Sequence, residues 1–483
     1  MSTLHATNPA TNDPLPGEFP LASRAQMDVA VRGGHALLAT DWIRNDALRA
    51  GLLEQIAVNM EAARATIVER ANLETALPLP RLNGELDRTC MQIRLFARLI
   101  GQTGWRGDVH VPGNPNRAPL PRPDMRQTSL PIGPIAVFGA SNFPLAYSVM
   151  GGDSASALAA GCSIVVKAHS AHPGTSELVA GCVRSAIREV GAPGSVFECL
   201  FLSNDDAGAL VQHESLAGVG FTGSLGVGRH LMDLAAARPR PIPVFAEMGS
   251  MNPQFVFPGR LAEGAAQFAE AFFGSLTLGV GQFCTNPGIV VAVRGPALDA
   301  FRNRLVKLVN GSTGATMLTA GIAENYRRGC DRFRGGSALL GHGEDSGANT
   351  GSAAIFEVEA SAFLANPDLR HEVFGPAALL VVCDSVADFA GIAEALTGQL
   401  AASLHMAAAD APAARDLLRT LPHVAGRIIA NGFPTGLEVG AATVHGGPYP
   451  AASDSRFTAV GDAAIRRWLR PVCYQDFPSE LLG

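Results

Sequence analysis

Ile135-Ala-Val-Phe-Gly-Ala-Ser-Asn-Phe-Pro144 opens on a short apolar run, and a helix-compatible stretch from Ser154 to Ala160, closed by Gly161, leads to a second run, Ser163-Ile-Val-Val166. The alternation continues. Ser176 to Val190 reads as a helix closed by Gly191, Val196 to Leu202 as a strand, Asp206 to His213 as a helix, Gly218 to Phe221 as a strand, Gly228 to Ala237 as a helix and Pro243 to Ala246 as a strand. Short apolar strands alternating with helices bury both faces only in a parallel sheet covered on two sides, so an α/β layer is predicted here. Ligands of such sheets sit beyond the carboxyl ends of the strands.

Working outward, the residues before this block split in two. From Ala47 to Val68 the apolar residues Leu48, Leu52, Ile56, Met60 and Ile67 return at close to helical spacing, which predicts one amphipathic helix. Between Trp105 and Pro131 the composition turns to Pro, Gly and Asn, unable to continue a helix and suited to an extended arm. After the block a second α/β unit begins at Phe255, with a helix predicted over Leu261 to Leu278 and strands over Ile289 to Val293 and Ala378 to Val382. The end of the chain, Ile465 to Gln475, mixes aromatic, β-branched and basic residues and is predicted to be an edge strand that pairs with a neighbouring subunit.

Composition narrows the class. A chain of 483 residues, 47% hydrophobic and 17% charged, describes globular material of two or three units. Its net charge of -6 and lack of any polybasic run give no footprint for nucleic acid or an anionic membrane. The eight cysteines form no Cys-x-x-Cys, so neither a zinc ribbon nor a disulfide framework is expected, no metal is assigned, and a reducing cytoplasm fits. Met1 to Pro20 carries Asp13 and Glu18 and lacks an apolar core, so no secretory leader is expected. Two uncharged runs, Gln127 to Gly152 and Ala271 to Val293, are broken by Pro, Gly, Asn, Gln and Ser and read as buried loops and strands rather than membrane spans.

Several residues carry chemistry. Cys284 lies in Gly279-Val-Gly-Gln-Phe-Cys-Thr-Asn-Pro-Gly288, a break where small residues let a substrate approach; most other cysteines lie in apolar or helical runs. Glu247 ends a strand and reads either as a salt-bridged cap or as a general base whose burial raises its pKa. Asn142, just beyond Phe138, is either a turn residue or an amide donor to an oxyanion. Lys167 is one of only two lysines among 37 basic residues, and a compact ammonium after a strand suits a ribose or phosphate. Gly223 and Ser224 lie in Phe221-Thr-Gly-Ser-Leu-Gly-Val-Gly228, a strand-to-helix turn whose backbone N–H groups can approach a pyrophosphate. His371-Glu-Val-Phe-Gly-Pro376, with Glu372 and Phe374, is by itself little more than a turn.

Taken in order, Asn-Phe-Pro, strand-Lys, Phe-Thr-Gly-Ser, Glu-x-Gly-x-x-Asn-Pro, Gly-Gln-x-Cys and Glu-x-Phe-Gly-Pro strongly resemble the aldehyde dehydrogenase superfamily over nearly the whole chain. Within it, Gly281 to Gly288, Asn431-Gly-Phe-Pro-Thr-Gly436, His445-Gly-Gly-Pro-Tyr-Pro450 and Arg466 to Gln475 look like the 2-oxoglutarate semialdehyde (2,5-dioxopentanoate) dehydrogenases. The resemblance implies that Cys284 attacks an aldehyde, that Asn142 and the Cys284 N–H hold the oxyanion, and that Glu247 activates water against the thioester. It places Lys167 at the adenosine ribose, Ser224 at the pyrophosphate, and Glu372 with Phe374 at the nicotinamide ribose. Where relatives read Lys-Pro-Ser-Glu, this chain has Lys167-Ala-His-Ser170. Ser170 replaces the ribose-gripping acid, so NADP is expected to be accepted at least as well as NAD, with help from Lys167 and His169.

The expected architecture is a Rossmann-like cofactor domain from 1–111 and 132–247, an α/β catalytic domain from 248–445, and an oligomerisation arm from 112–131 and 464–483, in a homodimer or homotetramer. The expected reaction is oxidation of 2-oxoglutarate semialdehyde. A broad or fatty aldehyde dehydrogenase is the alternative within the class. An acyl-CoA-forming relative, a cysteine hydrolase and a catalytically silent homologue are disfavoured by the joint presence of Cys284, Glu247 and Asn142.

Overall fold

The computed structural model describes residues 2–482. An antiparallel hairpin, β1 (Thr3–Thr7) and β2 (Pro14–Pro20), precedes four helices: α1 (Arg24–Ala36), α2 (Asp46–Ala62), α3 (Arg64–Thr75) and α4 (Leu79–Ile100). The single helix expected from Ala47 to Val68 is two. No large apolar residue ties the chain to the core between Met60 and Ile67, and at Ala63 the backbone leaves helical geometry (φ -89°, ψ 7°), after which Ile67, Val68 and Ala71 are buried again. α4 buries Leu82, Leu86, Cys90, Ile93 and Phe96 along one stripe.

After the short strands β3 (Val109–Val111) and β4 (Met125–Pro131), the predicted alternation is realised as β5 (Ile135–Phe138), α5 (Gly152–Ala160), β6 (Ile164–Lys167), α6 (Pro173–Val190), β7 (Phe197–Leu200), α7 (Asn204–Gln212), β8 (Gly218–Thr222), α8 (Leu225–Ala236) and β9 (Val244–Glu247). The five strands are parallel in the order β7-β6-β5-β8-β9. From β5 the chain builds outward to β7 and then crosses to build β8 and β9 on the other side. That reversal opens a crevice beyond the carboxyl ends of β5 and β8. α6 starts at Pro173, ahead of the expected Ser176, because a proline's fixed φ suits a first helical turn. α8 starts at Leu225 with Ser224 at its N-cap, and Gly228 inside it is required: a Cβ there meets Met248 Sδ at 2.6 Å.

The second unit runs through β10 (Gln254–Val256), α9 (Pro258–Thr277), β11 (Ile289–Val293), α10 (Pro296–Asn310), β12 (Ala315–Thr316), α11 (Ala320–Arg334), β13 (Ala338–His342), β14 (Thr350–Gly351), β15 (Ala354–Glu359), β16 (Ala377–Cys383), β17 (Gln399–His405) and β18 (Ala425–Ala430). Its seven-stranded sheet has the order β13-β15-β16-β11-β10-β17-β18, parallel except that β13 runs against β15. β16 is buried at every position, as its unbroken apolar sequence requires for a strand covered on both faces. β12 and β14 make a separate small ladder.

The final strand, β19 (Leu469–Gln475), is an edge strand, as expected for the end of the chain. It pairs first with its own chain, antiparallel to β4 from Leu469 opposite Pro131 to Gln475 opposite Met125, in a three-stranded sheet β19-β4-β3. Only its outer edge is left open. The segment just before it also returns to the first sheet: Met248 N donates to Ala451 O (2.8 Å), Ser453 N to Ala246 O (2.9 Å) and Ala246 N to Ser453 Oγ (2.8 Å). These bonds cover the free edge of β9 and fix the end of the strand that carries Glu247.

Candidate active site

A cleft of about 610 Å³ occupies the crevice that the strand order creates. It brings together Cys284, Glu247, Asn142, Lys167, Gly223, Ser224, Glu372 and Phe374. Ser170 is the exception: it sits on an exposed turn and does not line the cleft. Asp205, on the first turn of α7, also lines it and escaped the sequence reading because it is one of two acids at a helix start, where either reads as a capping charge.

Cys284 belongs to a loop held by contacts from four directions. Gly279, Val280 and Gly281 all have positive φ (56°, 58° and 63°). For a β-branched Val this is strained, at about 1–3 kcal/mol, and persists only where the surroundings over-determine the backbone. They do. Leu318 N donates to Gln282 Oε1 (3.0 Å), and Asn142 Nδ2 to Gln282 O (3.0 Å). Asn252 Nδ2 donates to both Cys284 O and Asn286 O (2.9 Å each), and Asn286 Nδ2 to Gly375 O (3.1 Å). Asn252, from the Glu-x-Gly-x-x-Asn-Pro motif, thus ties the thiol loop to the strand end bearing Glu247. An amide has two N–H donors, so Asn142 keeps one beyond its bond to Gln282.

The electrostatics overturn the expected Glu247 pKa. Burial raises it, but His445, whose Nε2 stands 3.0 Å from Glu247 Oε1, together with Cys284 and Arg467 more than offsets that, and the carboxyl lies below its usual range. Neither Glu247 oxygen makes a directional hydrogen bond, which leaves both open to a further donor. The same Nε2 lies 3.6 Å from Cys284 Sγ. Burial pushes the Cys284 thiol well up, with Glu247 and Glu372 adding to the rise and Arg88 opposing it. Glu372 is pushed up to about 8 by burial, partly countered by the Ser250 N–H and reinforced by Glu247. His445 had entered the sequence reading only as part of a resembling stretch, with no role; its neighbours are assembled by the fold.

At the other end of the cleft, the residues fit a dinucleotide. Ser224, the N-cap of α8, makes no side-chain capping bond, so its hydroxyl and the first-turn N–H groups remain free for an anion. A Cβ at Gly226 meets nothing within 4 Å, leaving that turn open to a close approach. Lys167 is the one Lys or Arg lining the cleft, its pKa lowered by burial. His169 stacks on His172 (5.3 Å between centroids) and is driven well below its usual pKa by burial, then by His172 and Lys167. It is therefore neutral at pH 7, and the expected help from His169 toward a 2'-phosphate is withdrawn.

Beside the thiol, Phe143 packs edge-on against Tyr147 (5.3 Å) and Phe283 (5.5 Å). Arg88, on α4, lies over the Tyr147 ring and donates from Nη2 to the Tyr147 hydroxyl (3.3 Å), while its Nε is buried without a partner. No carboxylate among the described residues forms an ion pair with it.

The aldehyde dehydrogenase family model matches residues 1–447. The chain is 47% identical to alpha-ketoglutaric semialdehyde dehydrogenase 2 of Azospirillum brasilense, covering 99% of this chain and 92% of that protein. It is 41% identical to the alpha-ketoglutaric semialdehyde dehydrogenase of Acinetobacter baylyi, with the same coverage of 99% and 92%. Among solved structures, gamma-glutamyl-gamma-aminobutyraldehyde dehydrogenase of Burkholderia cenocepacia superposes with a TM-score of 0.83 at 22% identity, covering 98% of this chain and 93% of that one. No helix among the described residues is long and apolar enough to cross a membrane.

Proposed function

The chain belongs to the aldehyde dehydrogenase family and is an oxidoreductase acting on aldehydes, and from that premise we propose that it oxidises 2-oxoglutarate semialdehyde to 2-oxoglutarate, with Cys284 as nucleophile. The observation that carries the chemistry is the convergence of Cys284, Glu247 and Asn142 on one cleft. The substrate rests on the two relatives of that name and on Arg88, a cation beside the thiol with no acid of its own.

Cys284 Sγ attacks the aldehyde carbon, and the charge that develops on oxygen is held by the free Asn142 N–H and the Cys284 backbone N–H. When bound, the nicotinamide dinucleotide supplies the hydride acceptor. Lys167 would hold its adenosine ribose, Ser224 and the first turn of α8 its pyrophosphate, and Glu372 with Phe374 its nicotinamide ribose. Glu247, with both oxygens lacking a directional bond, draws a proton from water as that water attacks the Cys284 thioester. A carboxyl held below its usual pKa is a ready proton acceptor at neutral pH but a weaker base than a raised one.

Family members use NAD(P). We infer that NADP is accepted at least as well as NAD here, because Lys167, the one Lys or Arg lining the cleft, can meet a 2'-phosphate. Asp205 opposes this preference and keeps NAD in use. We divide the chain into a cofactor unit (1–111 and 132–247), a catalytic unit (248–445) and an arm (112–131 and 464–483). The open edge of β19 suits association across an arm into a homodimer or a tetramer of dimers. Cytoplasmic residence fits the free thiols.

The aromatic cluster of Phe143, Tyr147 and Phe283 favours a second reading, a broad or fatty aldehyde dehydrogenase. Comparing kcat/KM for 2-oxoglutarate semialdehyde and for medium-chain alkanals, with each dinucleotide and beside Cys284→Ser, separates the two. Preference for the alkanal sinks the semialdehyde reading, and full turnover by Cys284→Ser sinks the nucleophile.

A further inference from the structure

One imidazole nitrogen touches two reacting groups. His445 Nε2 lies 3.6 Å from Cys284 Sγ and 3.0 Å from Glu247 Oε1, and the donor atoms of the three side chains fall within 4.8 Å of one another. His445 and Glu247 are both buried. The histidine backbone is fixed on both sides, His445 N donating to Thr458 Oγ1 (2.9 Å) and Ala459 N to His445 O (2.8 Å). The ring therefore has little freedom to leave its two neighbours.

A half-buried thiol that feels two carboxylates, Glu247 and Glu372, resists ionisation, because desolvation and like charge both disfavour the thiolate. Its proton must pass to a neighbour as the sulfur attacks. Resting on the reading of Cys284 as nucleophile, we propose that His445 is a further catalytic residue, a relay whose Nε2 takes the Cys284 proton and then donates the new N–H to Glu247 Oε1. The S–H bond breaks and the N–H bond forms; the sulfur lone pair makes the C–S bond, and the carbonyl π pair moves to oxygen. No oxidant is needed in this step. In the familiar triad two different ring nitrogens serve the nucleophile and the acid. Here the same nitrogen serves both, so the proton changes partner without leaving the ring. The carboxylate 3.0 Å away stabilises the imidazolium charge that this transfer creates.

The other charged and titratable groups that act on this cluster are Tyr147, with its ring 6.2 Å from His445, Arg88 and Glu372 near the thiol, Arg467 and Asp153 near Glu247, and Arg427 near Cys284. None of them approaches Nε2 within ion-pair distance.

The test is the rate at which iodoacetamide alkylates Cys284 in the free enzyme, followed by peptide mass spectrometry across pH. In His445→Gln and His445→Phe the rate at neutral pH is expected to fall about 100-fold, with the profile displaced to higher pH, as loss of a general base requires. Glu247→Gln removes a charge that itself raises the Cys284 thiol, so its profile is expected to move to lower pH, opposite in sign to the His445 variants. A purely structural histidine lowers the melting temperature without moving the profile. Alkylation of both His445 variants within about threefold of wild type on an unchanged profile overturns the relay. If they do not fold, the wild-type alkylation is read in D2O, where transfer of the thiol proton to His445 in the rate-determining step slows it and a rate that is unchanged overturns the relay. Failure of the nucleophile reading is distinguishable: aldehyde turnover would then survive in Cys284→Ser.

Discussion

Gly281→Ala tests whether the thiol loop is as constrained as its contacts imply. A Cβ at position 281 would stand 2.4 Å from Gly375 C and 2.5 Å from both Gly375 O and Pro376 N, all backbone atoms that no rotamer change can move. That is about 1 Å inside van der Waals contact. The residue is also at φ 63°, where an L side chain is penalised. Overpacking and the left-handed backbone together cost about 2–5 kcal/mol, so the melting temperature should drop by several degrees. The clash parts the loop bearing Cys284 from the segment bearing Glu372 and Phe374. A displacement of about 1 Å between reacting groups reduces rate about 100-fold. Stopped-flow detection of the reduced dinucleotide should show the first-turnover burst slowed by that factor. A folded variant whose burst rate stays within about threefold of wild type would refute the over-determined loop.

Glu247→Gln is expected to keep a single burst of reduced cofactor while steady turnover collapses by about 100-fold or more; loss of the burst itself removes Glu247 from deacylation alone. Arg88→Gln should lower the ratio of kcat/KM for 2-oxoglutarate semialdehyde over pentanal by about 100-fold, as expected for a lost charge-assisted contact; an unchanged ratio assigns the carboxylate elsewhere. Glu372 binds its proton more tightly folded than unfolded, so its contribution to stability is complete below the ordinary carboxyl range and is lost as pH rises through about 8. Thermal denaturation of Glu372→Gln should consequently show a flatter fall in melting temperature between about pH 6 and about pH 9 than wild type, and equal slopes would exclude the buried neutral acid. Light scattering at micromolar concentration should show an oligomer, and a strictly monomeric species contradicts the arm assignment.

The first sheet was legible because its strands are short, apolar and separated by glycine-closed helices, a pattern with one economical solution. Cys284, Glu247 and Asn142 were legible for a related reason: each lies where a regular element opens into a loop. What escaped depended on contacts distant in sequence. The Glu247 pKa was expected to rise on burial alone, and its sign reversed because His445 arrives from a remote segment. His169 looked like a cation until its stacking on His172 and burial made it neutral. Ser170 lay next to Lys167 in sequence but turns onto the surface. The break at Ala63 was hidden by an apolar spacing that continues nearly in phase across it. β19 was identified as a strand, yet amino-acid sequence alone does not say which edge of a strand is taken by its own chain.

The covering of β9 by Ala451 and Ser453 bears on how such enzymes can be recombined. The five-stranded sheet and Glu247 at its end do not form a contiguous cassette: a stretch translated some two hundred positions later covers their last strand. A chimera that imports 132–247 from a relative but keeps the host's 445–460 would seat a foreign carboxylate against an unmatched wall. Productive shuffling of this scaffold should require the two stretches to travel as a pair.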